Sequence, residues 1–393
     1  MADIEVDCPC WVDVNLDAVA NNTAEVKKYL GNDVRLMAVV KSDGYGHGML
    51  STARTVLAMG ADALGVTHPH EGIALREAGI DVSILVFRSL LPGEEDDMIR
   101  YGLTSSVSSF EQAERLSAAA QRYGQKAVVH IKLETGMGRT GFLPKTLMDV
   151  TDSLFSLPGL EWEGIYTHFA SAAADPSFTR RQFHIFNEVV QGLAKGGIDL
   201  PLRHVCNSAA ALLYPEMHLE MVRVGTLLYG QFPAGVKDQR LQLQDTWSFW
   251  TRVIHLQEMR RGMTVGYGRT ERLRHDTVIA ILPVGYSDGF GVDVQPRPSG
   301  LLDLGKVIAK IILGYLGYPI GWYYVTVNGT QVPIVGRVGM ELTCIDVGKI
   351  PDIQVGDPVL LNARRTVLRE SIPYAYRMSE KSYMNDMSAE MQF

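Results

Sequence analysis

Eight short apolar runs follow one another between residue 35 and about residue 230. Each ends in a polar or glycine-containing turn, and stretches such as SFEQAERLSAAAQRYG, with apolar residues at helical spacing, lie between them. The runs are RLMAVV, ADALGVT, SILVFR, YGLTSSV, KAVVHIKL, LEWEGIYTHF, LRHVCNS and EMVRVGTLLYG. Strands that alternate with helices pair in parallel, so the pattern predicts an α/β fold. A (β/α)8 barrel is the predicted architecture, and an open doubly wound sheet is the alternative.

The pattern changes after about residue 235. DTVIAILPVGYSDG, YYVTVNGTQVPIVG, LTCIDVG and GDPVLL are short runs broken by Gly, Pro and Asn-Gly turns, which predict a mainly antiparallel β domain. We therefore expect residues 1–235 to form the barrel and residues 236–393 to form a C-terminal β domain. Near the N-terminus, DAVANNTAEVKKYL predicts a helix that is capped by Asp17.

A segment near residues 299–322 interrupts the β domain with a different spacing. In SGLLDLGKVIAKIILGYLGYPIGW, the charged Asp303, Lys306 and Lys310 recur at three and four residues, and apolar side chains fill the rest of each turn. This spacing predicts an inserted amphipathic helix. A membrane anchor is the alternative, but the charges interrupt the run well short of the roughly 18–20 apolar residues that a spanning helix needs.

Length and charge narrow the classes of function. A chain of 393 residues predicts two domains, and a net charge of −7 argues against nucleic acid or a membrane as the main partner. The four cysteines are too few and too scattered for a disulfide framework, and no second Cys or His pair joins Cys8 and Cys10 to make a metal site. The acidic stretch MADIEVDCPCWVDV is unlike a secretory leader, so we expect a cytoplasmic protein without a bound metal.

The candidate chemistry lies at the ends of the predicted strands. Lys41 ends the first apolar run and opens the glycine-rich stretch SDGYGHG. In a barrel of this kind, the carboxyl ends of the strands form the active site, and the loops after the last two strands bind phosphate. The residues that end the later runs are His168, Asn207, Ser208, Gly225 and Thr226. A lysine that faces a phosphate site suggests a Schiff base to pyridoxal phosphate.

Each of these residues also has an ordinary structural interpretation. A lysine at a strand end commonly reaches into solvent, and a histidine such as His168 can be a hydrogen-bonded core residue. Asn207 and Ser208 could cap the helix that SAAALL predicts. The pattern alone therefore indicates a barrel that binds a phosphorylated ligand.

The stretch AVVKSDGYGHG resembles the pyridoxal-phosphate lysine motif of the alanine racemase family. The likeness continues, in the same order and over both domains, through HIKLETGMGRTGF, IYTHFAS, HVCNSAAAL, MVRVGTLLYG, TVGYGRT, LPVGYSDGF and IVGRVGMELTCID. The resemblance implies an isomerase that interconverts L- and D-alanine, with pyridoxal 5'-phosphate as cofactor and a small amino acid as substrate. It also implies a homodimer whose active sites are each completed by the partner's β domain.

The resemblance assigns the two bases that racemisation needs on opposite faces of the α carbon. Lys41 would hold the cofactor and act as one base, and Tyr267 of the partner subunit would act as the other. A tyrosine phenol has an ordinary pKa near ~10, which is too high for an efficient base at neutral pH. Neighbouring positive groups must therefore lower it, and His168 and Arg223 are the candidates.

The other roles that the resemblance implies concern cofactor and substrate. Arg223 would face the pyridine nitrogen, where the related decarboxylases are expected to carry a carboxylate, and Lys132 matches a lysine that many relatives carbamylate. Tyr45, Ser208 and Tyr374 would bind the phosphate with the backbone of Gly225 and Thr226, and His168 and Asn207 would lie beside the cofactor. Arg139 would contact the phenolic oxygen of the cofactor and the substrate carboxylate, to which Met340 would offer its N–H, and Tyr286 would line the entrance.

A decarboxylase of a basic amino acid and a non-catalytic cofactor carrier are the alternatives, against which Arg223 and Tyr267 argue.

This chain departs from the family pattern near the substrate entrance. Ala173 stands where the family usually has an acid, and Val292 stands where it usually has an arginine. Gly339 and Glu341 flank Met340 where Cys and Asp are common, and the tail RMSEKSYMNDMSAEMQF lacks the usual ending. We therefore expect a less polar entrance, and the alternative function is a racemase of larger or several amino acids, for example serine.

Overall fold

The computed structural model describes residues 8–236, 240–292, 298, 300–315 and 323–379. Its contacts divide the chain into two compact units. One unit contains residues 8–14 with Trp247–Arg377, and the other contains Asn15–Thr246 with residues 378–379. The first strand of the chain, β1 (Cys10–Asn15), belongs to the unit that is formed mainly by the C-terminal part.

The second unit is built on eight parallel strands. They are β2 (Arg35–Val39), β3 (Ala63–Val66), β4 (Ser83–Val86), β5 (Thr104–Val107), β6 (Ala127–Lys132), β7 (Leu160–Tyr166), β8 (Leu202–His204) and β9 (Met221–Val224). Their order in the sheet is β8-β7-β6-β5-β4-β3-β2-β9, and the Arg223 N–H donates to the carbonyl of Cys206, just past β8. The sheet therefore forms a nearly closed barrel. Each of the eight apolar runs contains one of these strands, so the predicted fold class is confirmed.

Nine helical segments within this part of the described chain accompany the strands. They are α1 (Leu16–Leu30), α2 (Lys41–Gly46), α3 (Met49–Ala58), α4 (Pro69–Glu77), α5 (Glu95–Arg100), α6 (Phe110–Tyr123), α7 (Pro144–Phe155), α8 (Pro176–Lys195) and α9 (Ser208–Leu213). A 3-10 turn spans Pro215–Met217. Apolar side chains of these helices and of the outward strand faces form the larger core, and Met37, Leu85 and Tyr166 belong to a smaller cluster.

The predicted N-cap of α1 is wrong by two residues. Asn15 is the N-cap, with extended dihedral angles, and its Oδ1 accepts the N–H of Ala18 at 3.0 Å. Asp17 already lies in the first helical turn, where a carboxylate still interacts favourably with the helix dipole but does not cap.

The other unit consists mainly of antiparallel strands, as predicted. Besides β1, it contains β10 (Trp247–Arg252), β11 (His255–Met259), β12 (Thr264–Val265), β13 (Glu271–Arg272), β14 (Thr277–Leu282), β15 (Tyr324–Val327), β16 (Thr330–Pro333), β17 (Thr343–Asp346), β18 (Pro358–Leu361) and β19 (Tyr374–Arg377). The sheet orders are β16-β15-β18-β10-β1-β19, β11-β14-β17 and β12-β13. Short 3-10 turns span Tyr267–Arg269 and Tyr286–Asp288.

The position of β1 differs from the predicted division of the chain at residue 235. β1 pairs antiparallel with β10, from Cys10 opposite Thr251 to Val14 opposite Trp247. The first strand therefore lies in the C-terminal unit, and the chain passes between the units at Asn15 and again at Thr246. The division at residue 235 missed this because β1 is held by backbone hydrogen bonds to a strand that is far away in the sequence.

The inserted segment contains a helix, α10 (Leu301–Tyr315). Its apolar side chains from Leu301 to Leu313 are exposed, with Leu301 and Leu302 nearly fully so. The remainder of the prediction, residues 316–322, lies outside the described residues, as does residue 299. Among the helices that the structure describes, none is both long enough and apolar enough to cross a membrane.

Candidate active site

A cavity of about 530 Å³ opens at the carboxyl ends of the barrel strands. Ten of the residues that the sequence singles out line it. They are Lys41, Tyr45, Lys132, Arg139, His168, Asn207, Ser208, Arg223, Gly225 and Thr226. Residues from five different strand ends or the loops after them thus meet at one place, as expected for a barrel of parallel strands.

Eight further residues that the sequence analysis did not single out complete the lining. They are Val39, Thr67, Phe87, Arg88, Thr140, Tyr166, Ala209 and Pro233. Thr67 directly follows β3, and Phe87 and Arg88 directly follow β4. The strand-end argument that selected Lys41 and His168 could also have found these three, because it applies equally to every strand of the barrel.

The lining of this cavity is strongly cationic. Five of its residues carry a basic side chain (Lys41, Arg88, Lys132, Arg139 and Arg223), and none of the lining residues is an aspartate or a glutamate. The Arg88 guanidinium is paired with the Glu94 carboxylate at 2.7 Å, so its charge is largely balanced. The other four cations make the cavity suited to a ligand with several negative charges.

The backbone turns left-handed immediately after Lys41. Ser42, Asp43, Gly44 and Tyr45 have φ of 53°, 51°, 61° and 56°. Residues with a Cβ are unfavourable in this region by roughly 1–2 kcal/mol each, so neighbouring contacts must hold the turn. Asp43 supplies one of them, because its Oδ1 accepts the N–H of Met49 at 2.6 Å.

The buried Glu71 carboxylate supplies another contact to this turn. It accepts the N–H of Ser42 at 2.7 Å, and its other oxygen accepts the N–H groups of Thr67 and His68 at 2.8 and 2.9 Å. Glu71 lies in the first turn of α4, and its bond from the N–H of His68, the N-cap residue, is the glutamate half of a capping box. One carboxylate thus joins the turn after Lys41 to the loop after β3. The sequence analysis missed this residue, since its role depends on which loops meet in space.

Replacement of Glu71 by alanine should destabilise the protein strongly. Three backbone N–H groups would lose their acceptor, and we expect a loss of about 2–4 kcal/mol in the free energy of unfolding. The measurement is chemical denaturation followed by tryptophan fluorescence and by circular dichroism. Glu77→Ala is the matched control, because Glu77 ends the same helix, is exposed and, within the described residues, accepts a hydrogen bond only from the Tyr101 hydroxyl. Equal midpoints for the two variants would contradict the role of Glu71.

Both lysines in the cavity hold their protons less tightly than usual. Burial, followed by the charge of Arg139, lowers the pKa of Lys41, and Glu71 opposes this shift. Burial and the charges of Arg139 and Arg223 lower the pKa of Lys132 to about 8. The Lys132 amine donates to the Thr140 hydroxyl at 2.6 Å. A lowered amine pKa increases the neutral fraction, which is the nucleophilic form, at neutral pH.

Ser208, Gly225 and Thr226 form a small polar cradle on one side of the cavity. The Ser208 hydroxyl accepts the Gly225 N–H at 3.0 Å. A Cβ on Gly225 would lie 2.6 Å from the Tyr45 hydroxyl, so only glycine fits there. The buried Thr226 hydroxyl has no hydrogen-bond partner among the described residues. A buried hydroxyl of this kind fits a ligand with acceptor oxygens.

Asn207 is the N-cap of α9, as the structural interpretation of the sequence predicted. Its Oδ1 accepts the N–H of Ala210 at 3.0 Å, and its Nδ2 donates to the carbonyl of Phe169 at 3.2 Å. The side chain is therefore engaged by protein groups, although Asn207 also lines the cavity.

His168 does not provide the positive charge that the sequence analysis considered. Burial, followed by the charges of Arg223, Arg139, Lys132 and Lys41, lowers its pKa to about 3, so the imidazole is neutral at pH 7. Its Nδ1 accepts from Arg223 at 3.4 Å. Arg223 keeps its proton at neutral pH, although burial lowers its pKa to about 10. Of the two candidates, Arg223 alone is a cation.

Four predicted site residues belong to the C-terminal unit rather than to the cavity lining. Tyr267 opens a 3-10 turn with its side chain 81% exposed, and Tyr374 begins β19. The loops of Tyr286 and Met340 contact each other, because the Tyr286 N–H donates to Gly339 and the Ser287 N–H donates to Met340. The two residues that were predicted to contact substrate from this unit therefore lie close together.

The two residues that depart from the family pattern are found in different units. Ala173 is half-buried and packs against the core of the barrel unit. Val292 is 38% exposed in the C-terminal unit. Neither side chain carries a charge, so these two residues cannot form an ion pair.

Comparison with known proteins agrees with this geometry. The family model for the N-terminal domain of alanine racemase matches residues 14–233, and the model for the C-terminal domain matches residues 246–376. An alanine racemase from Desulforamulus reducens is 38% identical over 357 residues, covering 90% of each chain. One from Halothermothrix orenii is 37% identical and covers 90% of this chain and 87% of its own. The chain belongs to the alanine racemase family.

Solved structures of alanine racemases share the fold of this family member over nearly its whole length. The enzyme from Clostridium difficile 630 matches with a TM-score of 0.85 at 28% identity, covering 95% of this chain and 97% of that chain. An alanine racemase from Bacillus anthracis with bound L-Ala-P matches with a TM-score of 0.82 at 28% identity, covering 96% and 97%. The isomerase class that the sequence predicted is thereby confirmed for the family.

Proposed function

We propose that this protein is a pyridoxal-phosphate-dependent racemase that interconverts L- and D-alanine. The observation that carries the proposal is the cationic cavity at the carboxyl end of the barrel, with the Lys41 amine of lowered pKa in its lining. Membership of the alanine racemase family supports the same reaction.

The residues of the cavity fit pyridoxal phosphate. The cradle of Ser208, Gly225 and Thr226, with its unpartnered hydroxyl, suits the phosphate, and Tyr45 and Tyr374 are proposed to add their hydroxyls. Arg139 would hold the phenolic oxygen, and Arg223 the pyridine nitrogen. When the aldehyde of this cofactor is joined to the amino group of a substrate, its ring withdraws electrons and acidifies the hydrogen on the α carbon.

Two bases on opposite faces of the α carbon would invert its configuration. Lys41, once released from the cofactor, moves a proton on one face, and its lowered pKa makes the neutral amine available as a base. Tyr267 of the partner subunit moves a proton on the other face, which requires a homodimer with shared active sites. The exposed position of the Tyr267 side chain on the isolated chain is compatible with that contribution.

Arg223 favours a racemase over a decarboxylase among the enzymes that use this cofactor. A guanidinium does not give up its proton readily, so it donates to the pyridine nitrogen without protonating it. A ring held in this way would be a weaker acceptor of electrons, so Lys41 and Tyr267 would return a proton to the α carbon before other reactions occur. Lys132, close to Arg139, could orient that arginine after carbamylation of its amine, which its pKa of about 8 would allow.

The substrate range is the finer part of the proposal. Met340 and Tyr286 would contact the substrate and its entrance from the partner's β domain. Ala173 and Val292 make the entrance less polar than a charged pair would. Serine and other amino acids larger than alanine are therefore secondary candidate substrates.

The test is a substrate panel with chiral chromatography. Purified protein loaded with pyridoxal phosphate is incubated with each L-amino acid in turn, and we expect D-alanine as the fastest product. The double variant Ala173→Asp with Val292→Arg should raise KM for serine more than KM for alanine, because charges return to the entrance. Loss of carbon dioxide from a basic amino acid, without any D-product, would refute the racemase proposal.

A further inference from the structure

A continuous row of four side chains runs through the interior of the barrel. Glu163 Oε2 lies 2.8 Å from His130 Nε2, and His130 Nδ1 lies 2.9 Å from His204 Nε2. His204 Nδ1 in turn lies 2.9 Å from the Nη1 of Arg223. Both histidines are essentially inaccessible to solvent, and Tyr166 stacks on the His204 ring at 4.8 Å between centroids. The row thus connects a residue of the active-site cavity with a carboxylate.

The chemistry of the end groups determines the position of every proton along this row. A guanidinium can only donate, so His204 Nδ1 must accept and its proton must be on Nε2. That proton is donated to His130 Nδ1, so the proton of His130 must also be on Nε2. This last proton is donated to the Glu163 carboxylate. All three hydrogen bonds therefore point in one direction, from Arg223 to Glu163.

The row connects the buried cation with an anion. Arg223 is 4% exposed, and its direct partners within the described residues are neutral: the carbonyls of Thr167, His204 and Val205, and two imidazoles. A buried charge needs compensation, and aligned hydrogen bonds polarise one another. The hydrogen bond from His130 and the charge of Arg35 lower the pKa of Glu163 although burial opposes the shift, which is consistent with a carboxylate at neutral pH.

The outer end of the row reaches a second cavity, of about 300 Å³, at the opposite end of the barrel. Arg35, Asp62, Ser83, His130 and Glu163 are among the residues that line it. Ala63, Leu202 and Met221, which also line it, are the first residues of their strands. This end of a barrel commonly serves stability rather than catalysis.

We propose that Glu163, His130 and His204 are positioning residues that set the donor strength of Arg223 from the amino-terminal end of the barrel. The negative charge of Glu163 polarises the two imidazoles, makes His204 Nδ1 a stronger acceptor and so weakens the donation of Arg223 toward the active-site cavity. Removal of that charge strengthens the donation on the cavity side. The consequence for catalysis rests on the proposed function, whereas the proton arrangement does not.

The first experiment uses nitrogen-15 NMR of the full-length protein, without cofactor and with labelled histidine and arginine. A protonated and an unprotonated ring nitrogen have well-separated resonances, so each tautomer is read directly. We expect His130 and His204 to be neutral with the proton on Nε2. Glu163→Gln keeps an oxygen acceptor but loses the charge, and it should shift the His204 Nδ1 and Arg223 side-chain resonances while both tautomers remain.

Glu161→Gln is the matched control, because Glu161 lies on the same strand, is exposed and has only Lys126 as an ion-pair partner, at 3.8 Å, among the described residues. It should leave the Arg223 resonances unchanged. A proton on Nδ1 of either histidine in the native protein would overturn the proposal, as would Arg223 resonances that do not respond to Glu163→Gln. The first of these outcomes is readable even if the variant fails to fold.

The second experiment measures the consequence for the reaction. In the protein loaded with pyridoxal phosphate, Glu163→Gln should change kcat for alanine by about three- to tenfold, since one charge is removed at a distance inside the barrel. KM for alanine should stay within about twofold, because none of the three positioning residues lines the active-site cavity. Equal kcat values for the Glu163→Gln and Glu161→Gln proteins would overturn the catalytic part of the proposal and leave the racemase assignment intact.

Discussion

Replacement of Lys41 by alanine should abolish the covalent attachment of pyridoxal phosphate and lower the rate of racemisation at least about a thousandfold. Lys41 is proposed to provide both the amine that holds the cofactor and one of the two bases. Burial and Arg139 lower the pKa of Lys41, so its amine is more nucleophilic at neutral pH than that of an exposed lysine. No other residue of the chain is proposed to substitute for either role.

The measurement combines absorption with chemical trapping. The native protein should absorb visible light after addition of pyridoxal phosphate, and borohydride should remove that band and leave the label on the peptide that contains Lys41. Lys126→Ala is a suitable control, because Lys126 is exposed and is not one of the residues that line the cavity. A label on Lys132 instead, which also has a lowered pKa, would show that the wrong lysine has been assigned.

Tyr267→Phe should slow interconversion strongly and still allow exchange of the α-hydrogen of one enantiomer with solvent. The remaining base, Lys41, can remove and return a proton on its own face but cannot invert the α carbon. We expect kcat for racemisation to fall by about a hundredfold to ten-thousandfold. The measurement is deuterium exchange followed separately for L- and D-alanine. Equal exchange of both enantiomers would contradict the assignment of Tyr267 to one face.

The same variant tests whether the site is shared between two subunits. Chains that carry Lys41→Ala and chains that carry Tyr267→Phe should be inactive alone. A mixed dimer contains one site with both bases. Random exchange of subunits makes about half of the dimers mixed, so mixing should restore up to about a quarter of the activity of the same amount of native protein. Absence of any recovery after subunit exchange has been verified would mean that both bases come from one chain.

The barrel was predictable because each of its strands has a recognisable local sequence pattern. A strand that is covered on both faces reads as a short apolar run, and eight such runs alternate with helical segments. The positions of Lys41, His168 and Ser208 then followed from the rule that such sites form at the carboxyl ends of the strands. Six of the ten predicted residues of the cavity lining were obtained in this way, and the other four were predicted only through the family resemblance: Tyr45, Lys132, Arg139 and Arg223.

What the sequence did not reveal depends on contacts between distant segments. β1 pairs with β10, which begins more than two hundred residues later, and no local pattern in CWVDVN indicates that partner. Glu71 is one of many acidic residues on helices, and its importance appears only when the N–H groups of Ser42 and Thr67 are seen to point at it.

The histidine row through the barrel was also hidden for this reason. His130, Glu163 and His204 stand in three separate apolar runs, and each could have been an isolated core residue. The strand registers bring these side chains together, since His130 is opposite Gly164 on β7 and His204 is opposite Tyr166. A sequence without these registers shows polar residues in buried strands but not that they contact one another.

The most direct test of the central claim is the fate of the α-hydrogen of L-alanine during a single conversion. The native protein, loaded with pyridoxal phosphate, is incubated with L-alanine in deuterium oxide, and both enantiomers are analysed by mass at low conversion. Two opposed bases predict that D-alanine appears and carries deuterium at the α carbon, while the remaining L-alanine is mostly undeuterated. D-Alanine that retains the original hydrogen, or no D-alanine at all, would contradict a racemase with Lys41 and Tyr267 on opposite faces.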